Sequence, residues 1–229
     1  MGNNVKTILV LPGLDGTGKL LDDFAAELAD DFDVRVVSYT FDQTDYDTIF
    51  DYVKSLVPER DYIVVGESFS GPLAGMFADA KPKHLKGVVF AATFLSRPSI
   101  WPAWCMTLLW AVPFQRKFFL NLIHPMFMGF RPGKKLFDTF LHIMQTVPKA
   151  TLIARLKTVH KLPRKPYSTH TGLPSLFLCA RREWFLSRKS GDFLAHVAHQ
   201  TCILDTPHFL LQKHPKQAAN HIRQFIDQL

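Results

Sequence analysis

Short apolar runs recur along the chain, and each is followed by a stretch with helical spacing. The runs are TILVLP (7–12), VRVVSY (34–39), YIVV (62–65), LKGVVFAAT (85–93), PSLFLCA (174–180) and TCILD (201–205). The helical stretches include KLLDDFAAELAD (19–30), YDTIFDYVKSLV (46–57), PLAGMFADA (72–80), a segment around 188–198 and a last one near 215–228. A strand with one wet face alternates apolar and polar residues. A nearly unbroken Val/Ile/Leu run is buried on both faces. Such runs separated by amphipathic helices predict an α/β chain with a mostly parallel sheet covered by helices on both sides. At 229 residues the chain fits one such domain.

One segment breaks the alternation. Residues 94–170 hold Trp101, Trp104, Trp110 and many Phe, with prolines at 98, 102, 113, 125, 132 and 148. They carry 12 Lys+Arg against one acid, Asp138. This reads as a helical cap inserted before the penultimate strand, with residues 1–93 and 171–229 forming the core. Its aromatics either pack inward on one another or line a pocket.

Charge follows the same division. Residues 1–91 hold 8 Lys+Arg and 15 Asp+Glu, while the remainder holds 19 and 5. A basic half is one mark of nucleic-acid binding, but no such motif is present. Basic residues mixed with bulky apolar ones suit an anionic membrane surface or amphiphile instead. No run of 18 uncharged apolar residues indicates a transmembrane helix. The start, MGNNVKTILVLPG, lacks a signal-peptide pattern, and Lys6 breaks the myristoylation pattern that Gly2 would begin. Cys105, Cys179 and Cys202 form neither a disulfide framework nor a metal motif. Cys179 and Cys202 are expected to be buried thiols. A cytoplasmic, reducing setting is expected, with no cofactor and no metal.

Three loops at strand ends carry chemistry. In YIVVGESFSGPLAG the strand stops at Gly66 and a helix starts near Pro72, with Ser68 at the bend. A sharp strand-to-helix turn lifts a serine Oγ clear of the backbone, and small neighbours are needed for helix and strand to approach. A serine and glycine cluster can also simply cap a helix. The position after a buried strand favours a nucleophile at Ser68. In TCILDTPHFLLQKHP, His208 follows the last strand, so it reaches the same sheet edge and is the candidate base. After PSLFLCA comes RREWFLS, which makes Glu183 the candidate acid. Asp205 is its rival, although as the last strand residue it should point away. Asp192 falls on a helix, and Glu183 could instead pair with Arg181 or Arg182. The loop LPGLDGTG (11–18) follows the first strand. It lacks the Gly-Lys-Ser/Thr ending of a phosphate-binding loop, because Lys19 is followed by Leu20. It reads as an oxyanion loop, with the backbone N–H groups of Leu14 and Phe69 as donors.

With these motifs the chain resembles the α/β-hydrolase superfamily. "LPGLDGTG", "VVGESFSGPLA" and "PHFLLQKHP" are similar to a group of small bacterial α/β-fold hydrolases. The first is also similar to the plant phytyl ester synthase-like acyltransferases. The resemblance covers nearly the whole chain, least so the cap. It implies a shortened sheet of about six strands, since the chain starts almost at TILVLP. It places the nucleophile on Ser68, the base on His208, and the oxyanion donors on Leu14 and Phe69. Two positions depart from the pattern. Ser70 stands where many members have glycine, and Ala180, Glu183 and Ser187 stand where a "G-x-x-D-x-x-x-P" pattern is usual. The expected activity is serine hydrolysis of a hydrophobic acyl ester or thioester. Acyl transfer by the same residues, or a non-catalytic scaffold binding a hydrophobic ligand, are the alternatives.

Overall fold

The computed structural model describes residues 5, 7–98, 113–164, 172–184, 186 and 188–229. Six strands form one sheet: β1 Thr7–Leu11, β2 Asp33–Val36, β3 Tyr62–Glu67, β4 Leu85–Ala91, β5 Ser175–Ala180 and β6 Gln200–Leu204. Their order across the sheet is β2-β1-β3-β4-β5-β6. Every pairing is parallel. The second strand is shorter than its apolar run, ending at Val36, although the Val37 N–H still donates to the Val10 carbonyl at 2.9 Å.

The helices of the core are α1 Asp22–Leu28, α2 Tyr46–Ser55, α3 Gly71–Ala80 and, after the cap, α7 Arg188–Val197, α8 Leu210–Lys213 and α9 Pro215–Ile226. A 3₁₀ turn, Lys19–Leu21, leads into α1. Asp45 starts α2 by accepting the Thr48 N–H at 2.9 Å. The strand side chains alternate between two buried layers. Leu9, Leu11, Val64 and Phe90 face Ile49, Leu73, Phe77 and Leu194 from α2, α3 and α7. Ile8, Val10, Ile63 and Val89 face Phe24, Leu28, Ile222 and Phe225 from α1 and α9. Both layers are apolar, which is why the strands read as continuous runs rather than alternating ones.

Between β4 and β5 the described chain forms α4 Lys117–Met128, α5 Lys134–Thr146 and α6 Lys149–Lys161. Pro148 lies just before α6, whereas Pro125 is tolerated inside the last turn of α4. The apolar clusters of these helices are shared with the core. Leu120, Met128, Phe140 and Leu141 pack against Leu20 and Phe209, and Ile143, Val147 and Leu152 pack against Leu14. Trp101, Trp104, Trp110, Cys105 and Ser187 lie outside the described residues. Cys179 and Cys202 are free and only partly buried, which corrects the expectation of buried thiols. Both are on strands near one sheet margin, where one side of each residue is less covered. No helix among the described residues is long and apolar enough to cross a membrane.

Candidate active site

The site sits where the sheet changes direction. The chain leaves β1 for α1 on one face and leaves β3 for α3 on the other. The two strands are neighbours, so their carboxyl ends open a crevice between diverging connections. The loop after β1 and the bend after β3 form its two walls.

Ser68 occupies the bend with φ 47°, a left-handed conformation unusual for a non-glycine residue. Gly66 makes the turn feasible. A Cβ there would lie 2.6 Å from the Ser70 carbonyl oxygen and 2.8 Å from the Ala74 Cβ. Ser70, the departure from glycine, is buried, and its hydroxyl donates to the Pro12 carbonyl and accepts from the Tyr39 hydroxyl. It therefore ties the bend to the loop after β1. Thr93 Oγ1 donates to the Ser68 carbonyl, and Tyr46 Oη donates to the Phe69 carbonyl at 3.0 Å.

The structure brings Ser68, His208 and Glu183 into one hydrogen-bonded chain. Ser68 Oγ lies 2.8 Å from His208 Nε2, and His208 Nδ1 lies 2.6 Å from Glu183 Oε2. The other Glu183 oxygen accepts the Leu186 N–H at 3.1 Å. With the Nδ1 proton directed at the carboxylate, Nε2 is left to accept from the serine. His208 is buried, which by itself favours the neutral ring. The Glu183 carboxylate and its hydrogen bond, with Glu67 behind, outweigh burial and raise the imidazole above its ordinary value. Asp205 points away. Its side chain is 72% exposed and meets Arg182 at 3.2 Å, whereas Glu183 Oε2 is turned to the His208 ring.

Leu14 and Phe69 stand beside the serine, lining the same cavity. No described residue accepts from either N–H. The Gly13 carbonyl accepts the Gly16 N–H at 3.1 Å, which turns the Leu14 N–H to the opposite side of its trans peptide. Gly16 holds the turn at φ 72°, and a side chain there would run into Arg155.

Two site residues are absent from the sequence reading. Arg155 of α6 is fully buried and reaches from the cap into this loop. Its Nη1 donates to the Leu14 and Asp15 carbonyls at 3.1 and 2.7 Å, its Nη2 to Thr40 at 2.9 Å, and its Nε to Gln43 at 3.1 Å. Nothing local distinguishes it from the other basic cap residues. Glu67 precedes the nucleophile candidate and is also buried. Gly13 N–H donates to its Oε2 at 3.2 Å and Gln212 Nε2 to its Oε1 at 2.5 Å. Burial is the main cause that pushes this carboxyl up to about 7, despite the Gln212 hydrogen bond. An acid closing an otherwise apolar strand is the signal that could have marked it.

The cap covers the crevice. Ile123, Phe127, Phe140 and Met144 line a cavity of about 140 Å³ over Ser68. The Phe127 ring meets the His208 ring edge-on, with centroids 6.1 Å apart. No group of three or more His, Cys, Asp or Glu among the described residues is placed to hold a metal ion.

This architecture is the α/β-hydrolase fold. Solved structures that share it include the enol-lactonase from Burkholderia xenovorans LB400, with TM-score 0.82, 12% identity and coverage of 97% of this chain and 92% of that one. An esterase from Exiguobacterium antarcticum gives TM-score 0.78 at 10% identity over 98% and 93%. A lipase-esterase related protein from Clostridium acetobutylicum ATCC 824 gives 0.77 at 14% over 97% of each chain. No protein-family model matches the chain, and no curated protein matches it in sequence.

Proposed function

We propose that this chain is a serine hydrolase that cleaves hydrophobic acyl esters or thioesters. The observation that carries the reading is the Ser68–His208–Glu183 hydrogen-bonded chain beneath an apolar cavity. The same fold in an esterase, a lipase-esterase related protein and an enol-lactonase supports the reaction class.

In this mechanism Ser68 Oγ attacks the acyl carbonyl while its proton passes to His208 Nε2. Glu183 holds the imidazole in the required tautomer and stabilises the imidazolium. The N–H groups of Leu14 and Phe69 receive the charge that develops on the carbonyl oxygen. His208 then protonates the leaving alcohol or thiol, and an acyl group remains on Ser68. Water, deprotonated by His208, attacks this acyl-enzyme and frees the acid and the serine. An alcohol in place of water would give acyl transfer by the same steps.

The cap supports a second element, contact with an anionic membrane. Phe118 and Leu122, one turn apart on α4, are 73% and 70% exposed, and Phe130 is 78% exposed. Exposed Lys117, Arg131 and Lys134 neighbour them in sequence. Apolar side chains amid cations suit an interface rich in anionic lipid.

The decisive experiment is labelling with a fluorophosphonate, coupled to a screen of p-nitrophenyl esters of graded chain length. Wild type should be labelled at Ser68 and should turn over the longer esters. Ser68→Ala should fold normally and lose about 10⁴–10⁶ in rate. A folded Ser68→Ala protein with wild-type turnover would remove the assignment.

A further inference from the structure

The cavity over Ser68 is mostly apolar, and besides the candidate catalytic groups, Asp15, Glu67 and Gln212 its wall carries two basic side chains. Arg97 lies on the segment that leaves β4 for the cap, and His160 is in the last turn of α6. Arg97 is partly buried. Its backbone N–H donates to the Pro163 carbonyl at 2.9 Å, but its guanidinium has no hydrogen-bond or ion-pair partner among the described residues. The His160 ring likewise has none. The two are near enough that, after burial, the Arg97 charge is what holds His160 below its ordinary value.

No acid of this chain neutralises Arg97. All 20 Asp and Glu lie within the described residues, and none forms an ion pair with it. The two acids that line the cavity are committed elsewhere. Asp15 accepts from the Thr17 N–H at 2.8 Å and from its hydroxyl, and Glu67 is held by Gly13 and Gln212. A partly buried guanidinium set against apolar walls without a counter-charge is solvated less well than in open water. Packing gives no reason to set it against apolar walls, whereas an anionic ligand group does.

We propose that the cavity takes acyl substrates that also carry an anionic oxygen group, a carboxylate or a phosphate-like group, held by Arg97 and His160. The inference rests on the hydrolase reading and narrows its substrate class. Arg97 offers a planar pair of donors suited to two oxygens, and neutral His160 offers one N–H more. The apolar walls take the hydrocarbon part of the acyl chain.

The test compares three p-nitrophenyl esters: hexanoate, the monoester of adipate, and the ester of 5-phosphonopentanoate. The first two differ only by a terminal methyl against a carboxylate. The wild-type preference for the charged esters over hexanoate, expressed as a ratio of kcat/KM, should fall about tenfold or more in Arg97→Met. Arg97→Lys should retain part of it. The ratio of adipate to phosphono ester tells which anion fits. An unchanged ratio in Arg97→Met overturns the proposal. Calorimetric titration of free adipate and 5-phosphonopentanoate separates this from the hydrolase reading. If Ser68 proves inert to fluorophosphonate, binding of either anion that is lost in Arg97→Met still establishes the subsite. If neither anion binds wild type and neither charged ester is preferred, the subsite is refuted whatever Ser68 does.

Discussion

Glu67→Gln isolates the cost of a carboxyl buried beside the candidate nucleophile. The Glu67 carboxyl is raised from 4.5 to about 7, with desolvation as the first cause. At about 1.4 kcal/mol for each pH unit, the folded protein prefers the neutral form by about 3 kcal/mol. The sign follows from proton binding. Between pH 4.5 and about 7 the unfolded chain has released this proton and the folded chain still holds it. Stability from this group is therefore complete below pH 4.5, falls as pH rises to about 7, and levels off above. A glutamine keeps the shape and cannot ionise. Its amide oxygen can accept the Gly13 N–H, and its amide nitrogen can donate to Gln212 once that side chain turns over. Gln212 Oε1 is buried without a partner in the present orientation, so the turn gives it one. Urea denaturation of both proteins at intervals from pH 4.5 to 8.5 reads the effect. The difference between the two curves cancels most other titrations, and it should move by about 3 kcal/mol in favour of Glu67→Gln as pH rises. A constant offset across that range would refute the reasoning, because it would mean that Glu67 titrates alike in both states.

Glu183→Gln should lower kcat by about 10²–10⁴, while Asp205→Asn should stay within about twofold; the reverse ranking would move the orienting role to Asp205. The acidic limb of kcat/KM should lie above pH 6.5, because His208 is raised and must be neutral to act as base, and Glu183→Gln should move it to lower pH; an unmoved limb would argue against the coupling. Arg155→Met removes the donor of the Leu14, Asp15 and Gln43 carbonyls, while Thr40 keeps the Gln43 N–H, at about 1–3 kcal/mol for each orphaned carbonyl that water does not reach. Both the denaturation midpoint and kcat should fall, with KM less affected, and a protein that loses stability but keeps kcat would separate the clamp from the oxyanion loop. Liposome sedimentation should show binding to anionic vesicles that weakens with salt and with Phe118→Ser/Leu122→Ser; equal partitioning into neutral vesicles would remove the membrane element.

The sheet and the placing of Ser68 were legible because their signals are local. A strand buried on both faces must be a continuous apolar run, and a serine on a sharp bend needs Gly66 two residues earlier. His208 and Glu183 were legible by a slightly longer argument, since all parallel strands deliver their carboxyl ends to one edge. The properties of those groups were not legible. Whether Glu183 or Asp205 faced the imidazole depended on a turn of a few residues, and only the fold showed Asp205 in solvent beside Arg182. Ser70 read as a poor glycine until its hydroxyl was seen on Pro12, 58 residues away. Glu67 drew no reading from the sequence, yet burial among distant residues sets its protonation, against the hydrogen bonds of Gly13 and Gln212 at separations of 54 and 145. Arg155 and Arg97 were two cations among the 12 of the cap segment. Periodicity and turn chemistry act between neighbours in the chain, so the sequence alone determined the elements and the edge where they converge. Desolvation and charge pairing act between neighbours in space, so only the tertiary structure decided which of those groups is buried, which is paired, and which is left facing the cavity.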